Sequence, residues 1–248
     1  MNDDPHPTNV LPSDPAPPGS SPPRDPASKA ELMRSLRRLV RGLSLLFWGL
    51  PMALVVGVET AASDWLRPFG VLPPVLATGV LFYGLSELGH FQKQERVWMQ
   101  TLERTKLFAL VNVGLSPFLY FWNDLPSVAY FNEAVGVMIL CSLMFLVNLN
   151  QVTLRLAAML PDETLREDTQ LFTSLNLYMV FAVLTLLALY LGLAGVQTLP
   201  PVVAKGLNFL YEARRGLIIV PVVVPVAMTM ALLWKIKEVV LASVFGGE

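Results

Sequence analysis

Long uncharged stretches alternate with short charged ones along this chain, and the pattern predicts membrane-spanning helices. Because a charge at the bilayer centre costs roughly 2.5 to 3.5 kcal/mol, each span is expected between successive charges. Five such stretches hold 17 to 21 residues, bounded by Arg41 and Glu59, Arg67 and Glu87, Lys106 and Asp124, Glu133 and Arg155, and Arg215 and Lys235. At about 1.5 Å per helical residue they reach roughly 25 to 32 Å, close to a hydrocarbon core of about 30 Å.

The sixth stretch is longer, with 36 uncharged residues between Asp168 and Lys205. It is too short for two spans and a turn, and Pro200 and Pro201 would interrupt a second helix, so we expect one span over about 171–196. The predicted fold is therefore an all-α integral membrane protein with about six transmembrane helices in a domain over 42–248. These helices are expected to form three hairpins, at about 42–90, 105–154 and 169–240.

The distribution of Lys and Arg predicts the orientation of the spans. One side of the membrane collects thirteen of these residues, and the other side has four, namely Arg67, Lys205, Arg214 and Arg215. Since basic residues concentrate in cytoplasmic loops, both termini are expected in the cytoplasm. The expected location is the cell (plasma) membrane, which the chain crosses several times.

The N-terminal segment divides into a disordered tail and a basic helix. Residues 1–27 are rich in Pro, Ser and Asp and have few large apolar side chains to bury, a composition typical of disorder. Ser28 and Glu31 have the spacing of a capping box, which predicts an amphipathic helix over 28–41. Four basic side chains of this helix are expected to contact lipid headgroups or a partner: Arg34, Arg37, Arg38 and Arg41.

Two internal matches indicate that the hairpin is a repeated unit. The segment beginning Leu72-Pro73-Pro74-Val75 recurs from Leu199, with seven identities in eleven positions at a spacing of 127 residues. A weaker copy of the Leu-Pro pair begins at Leu125. Separately, Thr105, Leu107, Phe108 and Asn112 match Thr169, Leu171, Phe172 and Asn176 at a spacing of 64 residues, about half of 127. The two offsets agree, and they predict three hairpins that turn at Leu-Pro loops.

Composition indicates a chain whose solvent is largely lipid. Hydrophobic residues make up 54% of the 248 residues, charged residues 15%, and the mean hydropathy is +0.53, whereas soluble domains carry about 25% charged residues. A net charge of -1 offers no basic excess for nucleic acid. The single cysteine, Cys141, and two histidines, His6 and His90, exclude a zinc cage of His and Cys, and no cofactor or metal is expected.

Polar side chains within the spans are candidate functional positions, because hydrocarbon cannot satisfy their hydrogen-bonding groups. Four asparagines form a candidate polar path through the membrane: Asn112, Asn176, Asn148 and Asn150. Asn112 and Asn176 are equivalent in the proposed repeat. The alternative for these residues is hydrogen bonding that holds helices together, which is the interpretation we favour.

Acidic residues near the ends of the spans form two further candidate sites. Glu133 and Glu212 are candidate acidic positions around an outer vestibule, or acids at headgroup level in contact with water. Glu87 and His90 share one helical face near the inner end of the second span. That pair is half of a di-iron motif, but a di-iron site needs the motif twice, so a wet helix end is the favoured interpretation.

The function that these features favour is that of a non-catalytic multi-pass membrane protein, an embedded subunit or scaffold of a larger assembly. Its expected partners are the bilayer and either another membrane protein or further copies of this chain, with no nucleic acid. The alternative is a small transporter or channel built from hairpin repeats, with a polar path near Asn112 and Asn176. No catalytic constellation is apparent, and an intramembrane activity on lipid is the enzymatic interpretation that remains open.

Overall fold

The computed structural model describes residues 26–91, 95–125, 127–160, 163–194 and 223–242, and these residues are helical apart from short connections. The described residues contain no β-strand, so the all-α prediction is confirmed. In chain order the helices are α1 (Pro26–Ala62), α2 (Leu72–Leu88), α3 (Arg96–Leu115), α4 (Pro117–Asp124), α5 (Ala129–Ala158), α6 (Glu163–Ala194) and α7 (223–242). A single turn of 3-10 helix, Arg67–Phe69, lies between α1 and α2.

Two of the described helices are long and apolar enough to cross a membrane, judged by length and composition. They are Met33–Ala62 within α1 and Ala129–Ala158, which is α5. The helix α2 is apolar but shorter, with 17 residues. Spans beyond these two, and the three-hairpin repeat, stay predictions.

Helices α1 and α2 pack closely because glycines face each other between them. A Cβ atom on Gly42 would lie 2.8 Å from the carbonyl oxygen of Gly84, and one on Gly49 would lie 2.9 Å from a methyl carbon of Leu81. Small residues allow helix backbones this near approach. Helix α1 continues through Pro51 without a break.

The stretch predicted as a single span between Lys106 and Asp124 is divided into α3 and α4 by a break at Ser116. The cause is Pro117, which has no N–H to donate to the carbonyl of Val113 four residues earlier. The hydroxyl of Ser116 donates to that carbonyl instead, at 2.8 Å. The chain therefore turns at this point while the Val113 carbonyl keeps a hydrogen-bond partner.

Helix α5 contacts three other helices, α3, α4 and α6. At one end of the assembly, the loop after α1 meets the end of α4: Arg67 pairs with Asp124, and the Asn123 amide donates to the Ser63 carbonyl at 3.4 Å. At the other end, Lys235 of α7 pairs with Asp168 of α6. Polar contacts between different parts of the chain thus stabilise both ends of the helical bundle.

The main hydrophobic core lies toward the end of the bundle that holds Phe91 and Trp98. Trp98 is fully buried, and its indole N–H donates to the carbonyl of Phe91 at 3.2 Å. Leu residues of α1, α2 and α5 and apolar residues of α7 pack in the same cluster. This core fixes the relative positions of α5 and α7, on which the polar cluster described next depends.

Candidate functional site

Three polar side chains from α5, α6 and α7 meet in the interior: Asn150, Asn176 and Thr229. Each is buried, with at most 1% of its surface exposed. Asn150 lies five residues before Arg155, Asn176 eight residues after Asp168, and Thr229 six residues before Lys235. At about 1.5 Å per residue, the three lie roughly 8 to 12 Å beyond the charged residues that bound their apolar segments.

The hydroxyl of Thr229 is the centre of this cluster. It accepts a hydrogen bond from the side-chain amide of Asn150 at 3.0 Å and another from the side-chain amide of Asn176 at 3.2 Å. Its own proton is directed to the carbonyl of Pro225 at 2.8 Å, with Oδ1 of Asn150 at 3.3 Å. A hydroxyl has one proton and two lone pairs, so all of its hydrogen-bonding capacity is used. Thr229 therefore couples three helices through one oxygen atom.

Two oxygen atoms next to the cluster have no hydrogen-bond partner among the described residues. They are Oδ1 of Asn176 and Oγ1 of Thr173, both buried and both on α6. The two residues that carry them line a small cavity of about 20 Å³ between α5 and α6. Its walls are formed by Val147, Asn150, Gln151, Thr173, Asn176 and Leu177.

Asn112, which the sequence analysis matches with Asn176, lies on α3 and bonds to α5. It is buried, and its Oδ1 accepts from the hydroxyl of Ser142 on α5 at 3.2 Å. The matched leucines agree in exposure as well, with Leu107 60% and Leu171 63% exposed. The matched threonines, Thr105 and Thr169, are both fully buried.

The four asparagines predicted to form a polar path are therefore distributed over three settings. Asn150 and Asn176 meet at Thr229, and Asn112 pairs with Ser142. Asn148 is half-buried, and its amide donates to the carbonyl of Met144 on its own helix at 2.7 Å. The structure brings two of the four together and gives the other two separate partners.

Glu87 and His90 do not form a joint site with each other. His90 is exposed, and its Nδ1 lies 3.2 Å from the carbonyl oxygen of Ser86. Glu87 lies one helical turn after Tyr83, and the guanidinium carbon of Arg41 lies 5.7 Å from the centre of the Tyr83 ring. Among the residues that the structure describes, no group of three His, Cys, Asp or Glu side chains is placed to hold a metal ion.

The basic side chains of the first helix point away from the core. Arg34, Arg37, Arg38 and Arg41 are all exposed, whereas Leu39 and Leu43 on the same helix are buried. This arrangement leaves four cations available to an anionic surface.

The outer acidic positions are only partly covered by the structure. Glu133 is exposed in the second turn of α5, and Glu212 lies outside the described residues. The charged contact at this end instead involves Arg67, whose pKa is raised above its ordinary value because it donates a hydrogen bond to the carboxylate of Asp124. The negative charge of Asp64 raises the pKa of Arg67 further, since its carboxylate oxygen lies 3.4 Å from the guanidinium.

Three residues of the cluster and its surroundings escaped the sequence analysis: Thr229, Thr173 and Ser142. Hydroxyl side chains in apolar helices commonly bond to a carbonyl of their own helix and so pass as apolar residues. One signal was present for Thr229, since it follows Pro225 by four residues in the last apolar stretch.

Comparison of the chain with family models, with curated proteins and with solved structures gives no match.

Proposed function

We propose that this chain is a multi-pass membrane protein that works without catalysis, as an embedded subunit or scaffold of a larger membrane assembly. The observation that carries the proposal is the pairing of its interior polar groups across helices. Asn112 bonds to Ser142, and Asn150 and Asn176 bond to Thr229. Side chains that hold helices together in this way are typical of membrane bundles, where apolar contact alone does not favour association over lipid.

Several features support the membrane part of this proposal. The charge-free stretches have the length of a bilayer, and α1 and α5 meet the requirement for a span by length and composition. The ion pairs Arg67 with Asp124 and Asp168 with Lys235 lie at the ends of the apolar segments rather than within them. The similar burial of Asn112 and Asn176, and of Leu107 and Leu171, supports the repeat. On this account six spans form three hairpins in the cell membrane, with both termini cytoplasmic.

The outer surfaces of α1 and α5 support a role in assembly. In the most apolar 18-residue segment of each helix, 33% of the residues of α1 and 39% of those of α5 are buried against this chain. Most of each segment is therefore available to lipid or to a partner. Exposed side chains there include Trp48, Val55 and Val58 of α1, and Val137 and Ile139 of α5. Large apolar areas of this kind are covered in a functional membrane complex by lipid, by another protein or by a second copy.

The proposal is tested by extracting the full chain from native membranes in mild detergent and measuring the native mass of what is recovered. A second protein at fixed stoichiometry, or a homo-oligomer of defined size, supports the subunit account. Expression of the chain with Trp48→Ala and Val137→Ala provides the comparison, because a partner seated on either surface is then released. A monomer that carries only lipid would contradict the proposal.

A second candidate, a small transporter or channel, is favoured by one observation. Asn150, Gln151, Thr173 and Asn176 place polar side chains around one small cavity between α5 and α6, as a polar path would require. If solute crosses liposome membranes through this protein, the double substitution Asn112→Leu with Asn176→Leu is expected to abolish that solute flux while the protein remains folded. Unchanged flux would exclude a pathway through these residues.

A further inference from the structure

Three aromatic rings form a continuous surface where α1 packs against α7: those of Trp48, Phe47 and Trp234. The ring centres of Phe47 and Trp48 lie 5.2 Å apart, and those of Phe47 and Trp234 lie 5.5 Å apart. Both tryptophans stay largely uncovered, with 69% of Trp48 and 52% of Trp234 exposed. Because tryptophan carries a large apolar area, two exposed rings joined by a third indicate a surface that binds an apolar group.

Basic side chains lie beside this aromatic surface on both helices. The ammonium of Lys237 lies 5.2 Å from the centre of the Trp234 ring. On α1, Arg41 and Arg37 precede Trp48 by seven and eleven residues, close to two and three helical turns, so the three share one face. Both arginines are exposed, and Lys237 is half-buried. None of these three cations forms an ion pair with a carboxylate of the described residues.

The exposed face of α1 changes in chemical character in one direction along the helix. Its arginines come first, and Trp48 follows about 10 Å beyond Arg41. Met52 and Val55, both exposed, then continue the face with aliphatic side chains. On the proposed topology this order runs from the cytoplasmic surface toward the bilayer centre, as do the phosphate, ester groups and acyl chains of a phospholipid. An interface with a protein instead has an apolar centre and a polar rim on every side.

We propose that this surface of α1 and α7 is a binding site for one anionic phospholipid. Its phosphate lies between Lys237 and the arginines of α1, and its acyl chains cover Trp48 and Trp234. The three cations favour an anionic headgroup over a zwitterionic one, which brings a positive charge of its own to the same place. The inference rests on the membrane location proposed above and not on the subunit role, and it leaves the exposed face of α5 to a protein partner.

The test is titration of the purified full chain with phosphatidylglycerol, which is anionic, and with phosphatidylcholine of the same acyl chains, with bound lipid counted by native mass spectrometry. We expect the first phosphatidylglycerol to bind severalfold more tightly than the first phosphatidylcholine. Lys237→Gln is expected to weaken that first binding step by about fivefold. Arg155→Gln is the control, because Arg155 is an exposed basic residue of α5, and it is expected to leave the step unchanged. Equal binding of the two lipids, or equal effects of the two substitutions, would overturn the proposal.

A second pair of variants tests the contact with the acyl chains. Trp48→Ala with Trp234→Ala is expected to abolish the tight binding of one phosphatidylglycerol, whereas Trp65→Ala, at an exposed tryptophan in the loop after α1, is expected to retain it. Should the double variant fail to fold, Lys237→Gln decides alone.

Extraction of the same double variant from native membranes separates this inference from the subunit role. Loss of the lipid with a protein partner retained supports the lipid site. Release of a protein partner without loss of lipid would overturn the lipid site and support the subunit role. A chain that holds the lipid in its wild-type form but has no protein partner and no second copy would contradict the subunit role alone.

Discussion

The side-chain amide of Asn176 on α6 lies 3.2 Å from the hydroxyl oxygen of Thr229 on α7. This bond joins two helices that are separated in sequence by residues 195–222. The same hydroxyl accepts from Asn150 on α5, so one small side chain connects three helices. In an apolar setting a loss of this hydroxyl leaves two amides without their shared acceptor.

Thr229→Val is expected to destabilise the protein by about 1 to 2 kcal/mol, since it keeps the shape of the side chain and removes the central hydrogen-bonding group. For a chain of this size, that corresponds to a melting temperature lower by about 2 to 8 °C. Thermal unfolding in detergent measures the change. Thr185→Val is the control, because Thr185 is exposed on α6 and its hydroxyl bonds only to the carbonyl of Phe181 among the contacts described. Equal effects of the two variants would contradict a central role for Thr229.

The close contact of α1 with α2 predicts that alanine affects stability differently at two glycines. In Gly42→Ala the new methyl group would lie 2.8 Å from the Gly84 carbonyl oxygen, a backbone atom that cannot move aside alone. At Gly79 on α2 a Cβ would have nothing within 4 Å. We expect Gly42→Ala to be less stable than Gly79→Ala by about 1 to 3 kcal/mol, because only the first overpacks a helix contact. Denaturation of both variants in the same detergent tests this, and equal stability would refute the predicted overpacking at Gly42.

The pair Arg67 and Asp124 is exposed, which predicts a contribution that depends on salt. Asp124→Asn is expected to lower the melting temperature slightly at low ionic strength and to have no effect near 1 M salt, where the screening length falls to about 3 Å. Glu133→Gln is the control, since Glu133 is an exposed acid at the same end of the bundle. A salt-independent loss for Asp124→Asn would mean that its role is not electrostatic.

The exposed arginines of α1 predict binding of anionic lipid. The double substitution Arg37→Gln with Arg38→Gln is expected to weaken retention of anionic phospholipid by about fivefold for each residue. The lipid that remains bound is counted by native mass spectrometry. Arg155→Gln with Arg166→Gln is the matched control, since these are also exposed arginines on the predicted cytoplasmic side. If the two double variants lose lipid equally, the effect is one of total charge and not of the helix over 28–41.

Much of the helical layout follows from sequence because charge spacing and proline act locally. The charge-free stretch beginning after Glu133 coincides with most of α5, and the one after Arg41 lies within α1. The division at Ser116 was not predicted, because the sequence analysis treats the stretch between Lys106 and Asp124 as one span; Pro117, which causes the division, directly follows Ser116.

The sequence analysis identified two of the three residues of the polar cluster, Asn150 and Asn176. Asn150 and Asn176 were candidates because amides are rare in apolar helices, but nothing in a linear pattern shows which helix faces which. Their meeting point, Thr229, comes from a helix 53 residues beyond Asn176, and a hydroxyl that bonds to its own helix carries no sequence signal of a partner. Side-chain pairing between distant helices depends on packing, which only the three-dimensional structure supplies.

The central claim, that this chain crosses a membrane, is tested most directly at the two ends of α5. Ser127 precedes this helix and is exposed, and Glu163 lies just beyond it and is exposed. In a Cys141→Ser background, Ser127→Cys and Glu163→Cys are labelled separately in intact cells with a reagent that does not cross membranes. The account predicts that Ser127→Cys reacts from outside and that Glu163→Cys reacts only after permeabilisation. Labelling of both positions from the same side would contradict it.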